Sequence, residues 1–260
     1  MNADGASIAL SREGAIARLQ IARESFGNAL RGTDLLLLAS LIRECLGDRA
    51  IRVIVLSGSG EKFFCTGSDV SELAAGVSDI GVHLRKWHDV VELIETSEKP
   101  VIAAINGAAV GGGLELALAC HQRIAVSSAR VGLPELKVGL FPAAGGVRRL
   151  TRLIGAASTC RLVFGADLIT ANAAQKLGIV DQVCDAAEFD AEVTRAVRQL
   201  AGFEPNAVRA VLSCARQAAV CSDSNEHEVM LLRDCYATPR NREILQEFMA
   251  RPRPAQRAPR

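Results

Sequence analysis

No stretch of about 18 consecutive apolar residues occurs in this 260-residue chain, so no membrane-spanning helix is expected. Residues 1–14 lack a basic start followed by an apolar block, so no secretory leader is expected either. An excess of one charge is also missing: 30 Lys and Arg stand against 29 Asp and Glu, a net charge of +1. That balance gives no general attraction to nucleic acid or to acidic membranes. The eight cysteines, at positions 45, 65, 120, 160, 184, 214, 221 and 235, form no CxxC pair and no regular spacing. Most lie in apolar segments and read as small buried hydrophobes of a reducing cytosol, not as a disulfide scaffold. His83 and His88 have no Cys, Asp or Glu at metal-ligand spacing with a third partner, so no metal site is expected. A soluble cytoplasmic protein is the expectation.

What is present is enough apolar material for a sizeable core: 49% of the residues are hydrophobic and 23% charged, too apolar for disorder. Residues 15–21 alternate as a half-buried strand. Thr33 is a plausible N-cap for a helix over 34–46 that stops at Gly47. The β-branched run 51–56 reads as a strand covered on both faces. The turn Ser57-Gly58-Ser59-Gly60 continues into Glu61-Lys62-Phe63, without the Gly-Lys-Ser/Thr of a phosphate loop. A brief apolar segment at 63–65 follows, then a turn into a short helix reaching Leu73, with Ser68 or Asp69 as its cap. A flexible loop is expected at 74–81 and an amphipathic helix at 84–95.

Lys99-Pro100 leads into a strand at 101–105, a helix at 113–120 and a short strand at 123–127. From Ala143 the pattern is mainly helical: 146–154, 158–164, and 171–177 capped by Thr170, followed by a last strand at 178–183. Helices are then expected at 187–201, 205–220, 225–236 and 240–250. Strands and helices alternate before about residue 185, and helices alone follow. This gives an α/β core over 1–200, a helical region over 201–250 and a disordered tail over 251–260.

The chemistry concentrates at 106–135. Three consecutive glycines, Gly111 to Gly113, open an apolar helix carrying Glu115, and Glu135 follows Pro134 at the next turn. A carbonyl that takes up negative charge needs two well-placed donors, which backbone N–H groups at helix starts supply. Glycines let the main chain approach closely. Two such starts exist, at Gly67-Ser68-Asp69 and at the glycine triplet. Glu115 among leucines and Glu135 beside Leu133 and Leu136 are carboxyls in apolar settings suited to acid–base work. Taken singly, each has a plain alternative: a helix-dipole acid, a surface acid after proline, a packing device for helix against strand. No Cys has a credible His partner, which argues against a cysteine nucleophile.

Taken together, three ordered motifs resemble those of the enoyl-CoA hydratase/isomerase (crotonase) superfamily, from about Ala15 to Phe248. They are Phe64-Cys65-Thr66-Gly67-Ser68-Asp69, then Asn106-Gly107 through Gly111-Gly112-Gly113-Leu114-Glu115-Leu116-Ala117, then Leu133-Pro134-Glu135 with Gly145-Gly146 and Arg149-Leu150 beyond. The resemblance implies a spiral of ββα turns with a C-terminal helical trimerisation region, as a homotrimer or dimer of trimers. It implies an acyl-CoA thioester substrate, CoA being part of the substrate and no separate cofactor being used. The amides of Ser68 and Gly112 would form the oxyanion hole, with Glu115 and Glu135 as catalytic acids. Thr66, Gly67, Asp69 and Gly111 would contact the substrate, the backbone around Thr66 holding the adenine.

Both glutamates being present favours hydration of an enoyl-CoA in fatty acid metabolism. Double-bond isomerisation, thioester hydrolysis and a non-catalytic CoA- or RNA-binding role stay open at this point. Departures from the family pattern include Ala22-Arg23-Glu24 before Asn28-Ala29-Leu30, no basic residue near Ser25 for the CoA phosphates, and Thr66 and Ser68 in place of alanines. The loop at 74–81, the helix with Trp87, and Leu140-Phe141 are expected to line the acyl pocket.

Overall fold

The apolar runs of the sequence are divided between two sheets. The computed structural model describes residues 7–77, 79–219, 229, 233, 236, 237 and 239–250. One sheet contains β1 (Ile8–Glu13), β2 (Ile16–Ile21), β3 (Val53–Gly58), β5 (Val101–Ile105), β7 (Gln122–Val126) and β10 (Gln182–Cys184), in that spatial order. The second contains β4 (Phe63–Cys65), β6 (Ala108–Val110), β8 (Arg130–Gly132) and β9 (Ile169–Thr170). Only β1 with β2 and β8 with β9 pair antiparallel; every other neighbour is parallel. β5 is buried at every position, as a parallel strand covered on both faces must be.

Chain order explains the shape. β3 enters the first sheet, β4 the second, and the chain then turns helical through α2 (Val70–Ala74) and α3 (Ile80–Glu95). β5 and β6 repeat the move before α4 (Gly112–Ala119), and β7 and β8 repeat it before the short 3-10 helix Glu135–Val138. The result is a ββα spiral.

The spiral also dictates where motifs meet. β4, β6 and β8 lie side by side and parallel, with Cys65 opposite Ala109 and Val110 opposite Gly132. Their C-terminal ends therefore release three consecutive turns along one edge of the small sheet: Thr66 to Asp69, Gly111 to Gly113, and Leu133 to Glu135. The triplet needs glycine for packing as well as for its turn. A Cβ on Gly113 would fall 1.9 Å from the carbonyl oxygen of Cys65.

The remaining helices are α1 (Gly32–Gly47), α5 (Gly146–Ile154), α6 (Ala156–Gly165), α7 (Ala171–Lys176), α8 (Phe189–Gly202), α9 (Pro205–Ala219) and α10 (Pro239–Ala250). α1 starts earlier than its sequence suggests, because Asp34 reaches back to the Arg31 N–H at 2.9 Å and Arg31, not Thr33, takes the cap position. The loop expected at 74–81 is shorter, since Asp79 accepts the Gly81 N–H at 2.7 Å and starts α3 at Ile80. The expected strand at 178–183 is pared to β10, its first part closing the turn after α7. The helix expected at 225–236 and the tail at 251–260 fall largely or wholly outside the described residues. No helix among the described residues is long and apolar enough to cross a membrane.

A buried ion network ties the first motif to α1. Arg23 reaches Asp69 at 3.0 Å and Asp34 at 3.4 Å, and the Asp34 side chain is 1% exposed. Burial works to raise Asp34, but Arg31 and its other donors win and hold it below the usual carboxylate range. Asp34→Ala would leave Arg23 with Asp69 as a carboxylate partner but take the acceptor from the Arg31 N–H, and stability is expected to fall by about 1–3 kcal/mol. Denaturant unfolding checks this. Breaking the exposed Lys137–Asp167 pair, at 2.9 Å, should cost less than about 1 kcal/mol in the same assay.

Candidate active site

The three turns open onto one cavity of about 1160 Å³. Thr66, Ser68, Asp69, Gly111, Gly112, Glu115 and Glu135 all line it. Gly67 stands directly behind: its Cα lies 3.2 Å from where a Cβ on Gly112 would be. All eight residues singled out in the sequence are thus brought together.

Two amides stand free here for definable reasons. Leu30 and Ser68 form an isolated parallel bridge, in which the Leu30 N–H goes to Gly67 O at 2.8 Å and the Asp69 N–H to Leu30 O at 3.0 Å. The bonds use the groups flanking Ser68, so the Ser68 N–H faces the other way. Gly112 is the first residue of α4, whose opening amides have no partner within the helix. Gly111, at φ +57°, makes the bend that aims this helix start. A pair of backbone donors on touching strands is the arrangement that stabilises an oxyanion.

The carboxyls differ in setting. Glu115 is 3% exposed, and its Oε1 accepts the N–H of Gly146, the first residue of α5, at 2.7 Å. Gly146 must be glycine, since a Cβ would sit 2.8 Å from that same oxygen. Glu135 lies over Gly111, its Oε1 3.1 Å from the position of a Gly111 Cβ, and its Oε2 is buried without a hydrogen-bond partner. Burial raises the Glu135 pKa to about 7, so a large share of this carboxyl is still protonated near neutral pH. One acid fixed by a donor and one left dry make a pair suited to opposite proton-transfer roles.

Asp69 works differently. Its carboxylate accepts from Ser71 N at 3.1 Å and from Arg23 at 3.0 Å, so its side chain holds the turn in place.

Several contacts at the site were not marked by the sequence pattern. Trp87 donates its indole N–H to Ser68 Oγ at 2.8 Å, and its ring lies 3.0 Å from where a Gly112 Cβ would be, touching both donor strands at once. His83 Nε2 sits 3.1 Å from Ser68 Oγ, and both His83 and His88 are buried. Asn28, wholly buried at φ +53°, donates to Phe63 O at 2.7 Å and Ser59 O at 3.0 Å, bracing the strand that leads to Thr66. Lys62 stands at the cavity mouth with Glu24, Ser25 and Phe26. Leu73, Ile80, Leu84, Trp87, Leu140 and Phe141 form an apolar wall, as the sequence suggested, and Leu245 and Met249 of α10 add to it.

The family model described as enoyl-CoA hydratase/isomerase matches residues 11–255. A short-chain-enoyl-CoA hydratase of Clostridium acetobutylicum is 32% identical over 249 residues, covering 94% of each protein. A crotonyl-CoA hydratase of Syntrophomonas wolfei is 36% identical over 215 residues, covering 81% of this chain and 82% of that one. The crystal structure of an enoyl-CoA hydratase from Bacillus anthracis superposes with a TM-score of 0.79 at 31% identity, covering 94% of this chain and 96% of the other.

Proposed function

The chain belongs to the enoyl-CoA hydratase/isomerase family, and we propose that it adds water across the 2,3 double bond of a short-chain enoyl-CoA thioester, or removes it in reverse. The observation that carries this reading is the pair of unlike glutamates, one buried and one with a buried, unpartnered oxygen, beside two free amides. In the hydration direction the thioester oxygen lies between the Ser68 and Gly112 N–H groups. Glu115, already held as a hydrogen-bond acceptor, takes a proton from water as the water oxygen attacks C3. Negative charge passes through C2 to the thioester oxygen, where the two amides hold it. Glu135 then delivers its proton to C2. Lys62 at the mouth offers a cation for the CoA phosphates, in place of the basic residue missing near Ser25. In this reading Thr66, Gly67 and Gly111 shape the path of the thioester arm. The protein works in the cytoplasm as a homotrimer or dimer of trimers built on the 201–250 region.

The test is a pH profile. Hydration requires Glu115 ionised and Glu135 protonated; dehydration requires the reverse. These are tautomers of one singly protonated pair, and the reaction releases no net proton. Both directions must therefore show the same pH dependence of kcat/KM. With Glu135 at about 7, kcat/KM is expected to fall about tenfold per unit above that pH, and to fall again on the acid side once the pair takes up its second proton. Initial rates on crotonyl-CoA and 3-hydroxybutyryl-CoA across pH 5–9 (roughly this span brackets the carboxyl range) read this directly. A hydration rate that is flat through the alkaline range sinks Glu135 as the proton donor.

A further inference from the structure

Hydration uses the backbone of Ser68 and leaves its side chain unexplained. Ser68 lines the cavity, and its hydroxyl has two partners, Trp87 Nε1 at 2.8 Å and His83 Nε2 at 3.1 Å. Indole nitrogen only donates, so Ser68 Oγ is the acceptor toward Trp87. Oγ then still has its own hydrogen to give, and in the tautomer that carries its hydrogen on Nδ1 the bare His83 Nε2 receives it. A neutral imidazole with a bare Nε2 carries its hydrogen on Nδ1, and Nδ1 faces Glu72 Oε2 at 3.8 Å. Glu72 is itself fixed, accepting the Gly32 N–H at 2.9 Å. His83 is 5% exposed, and burial, the largest influence on it, lowers its pKa and favours this neutral form.

A hydroxyl bonded to a buried imidazole, that imidazole facing a carboxylate, and two free amides beside the hydroxyl fulfil the roles of a serine hydrolase site. In such sites the nucleophile's own N–H is one of the two oxyanion donors, as Ser68 N–H would be here. We propose that Ser68, His83 and Glu72 form a second catalytic set in this cavity, which cleaves acyl-CoA thioesters through an acyl ester on Ser68 Oγ. The proposal rests on the use of the Ser68 and Gly112 amides as the oxyanion pair.

The step balances without a further reactant. His83 Nε2 takes the Ser68 proton as Oγ bonds to the thioester carbon and the carbonyl pair moves onto oxygen. Collapse breaks the C–S bond, and His83 passes its proton to the departing CoA sulfur. Water then loses a proton to His83 while its oxygen bonds to the ester carbon. The Oγ–C bond breaks, and the proton returns to Ser68. The products are a carboxylic acid and free CoA. The Glu72 gap shortens as the imidazole becomes charged, since such bonds are often long before substrate binds.

The experiment uses the whole protein with saturated acyl-CoAs, from butyryl to dodecanoyl, which have no double bond to hydrate. Free CoA is measured by chromatography, because the exposed Cys160 and Cys214 would react with a thiol reagent. Wild-type protein is expected to release CoA from at least one member and to show an acyl adduct on the Ser68 peptide in acid-quenched mass spectra. His83→Gln should lower that release by about 10²-fold or more and remove the acyl adduct from the Ser68 peptide. Glu72→Gln, at a partly exposed position, should lower it by about tenfold and guards against a fold defect in the first variant. CoA release no faster than without protein, release undiminished in His83→Gln, or an adduct on cysteine overturns the proposal. Hydration without CoA release defeats only the serine hydrolase; CoA release without hydration defeats only the hydratase reading.

Discussion

Glu115→Gln is expected to lower crotonyl-CoA hydration by about 10²–10⁴-fold, the range that general acid–base catalysis supplies. The substitution is close to isosteric. Its Oε1 can go on accepting the Gly146 N–H, which lies 2.7 Å from the carboxylate oxygen of the native residue. Packing around a side chain that is 3% exposed is therefore kept, and the melting temperature should move little. What disappears is the capacity to take a proton from water at neutral pH. Binding of a saturated acyl-CoA should be unchanged, because the Ser68 and Gly112 amides are untouched, so the loss falls on kcat rather than KM. Loss of enoyl absorbance gives the rate, and equilibrium titration gives the binding. A variant retaining near wild-type turnover would make Glu115 an ordinary first-turn acid of α4, favoured there by the helix dipole.

The parts of this molecule that were legible in its sequence are those that glycine and proline punctuate. Gly67, the triplet at 111–113 and Pro134 mark three strand-to-helix turns, and the apolar run at 101–105 marks the strand between them. The strands that align those turns were harder to read. β6 and β8 are three residues each, too short for a period of two to stand out, and only their parallel pairing shows why three distant motifs share one edge.

Side-chain pairings across long separations left no mark either. Arg23 meets Asp69 46 positions later and Ser68 meets His83 15 positions later, and neither interval follows a helical or strand repeat. His83 looked like an ordinary residue on an amphipathic helix because its significance lies in Trp87, one turn along, and in the loop opposite. The dry Oε2 of Glu135 belongs to this same class. Desolvation is a property of surroundings, and a glutamate after proline reads as a surface acid until the helices close over it.

Gly67→Ala tests the oxyanion pair by geometry alone, with no acid or base altered. Gly67 has φ +91°, which an L side chain adopts only with strain, and an added Cβ would stand 2.8 Å from the Gly112 nitrogen. That neighbour is backbone and cannot swing aside, so the Gly112 amide must shift from its aim. Loss of one oxyanion donor is worth about 10²–10³-fold in kcat, and the strain should cost about 1–3 kcal/mol of stability. The two effects are separable by a control. Gly178 has φ +80° with nothing within 4 Å of an added Cβ, so Gly178→Ala carries comparable backbone strain and no encroachment. Gly67→Ala should lose more stability than Gly178→Ala in denaturant melts, the excess being the cost of the encroachment, and only Gly67→Ala loses turnover. Equal activity in the two would remove the Gly112 amide from the reaction. It would leave the glycine at 67 as a requirement of the turn alone.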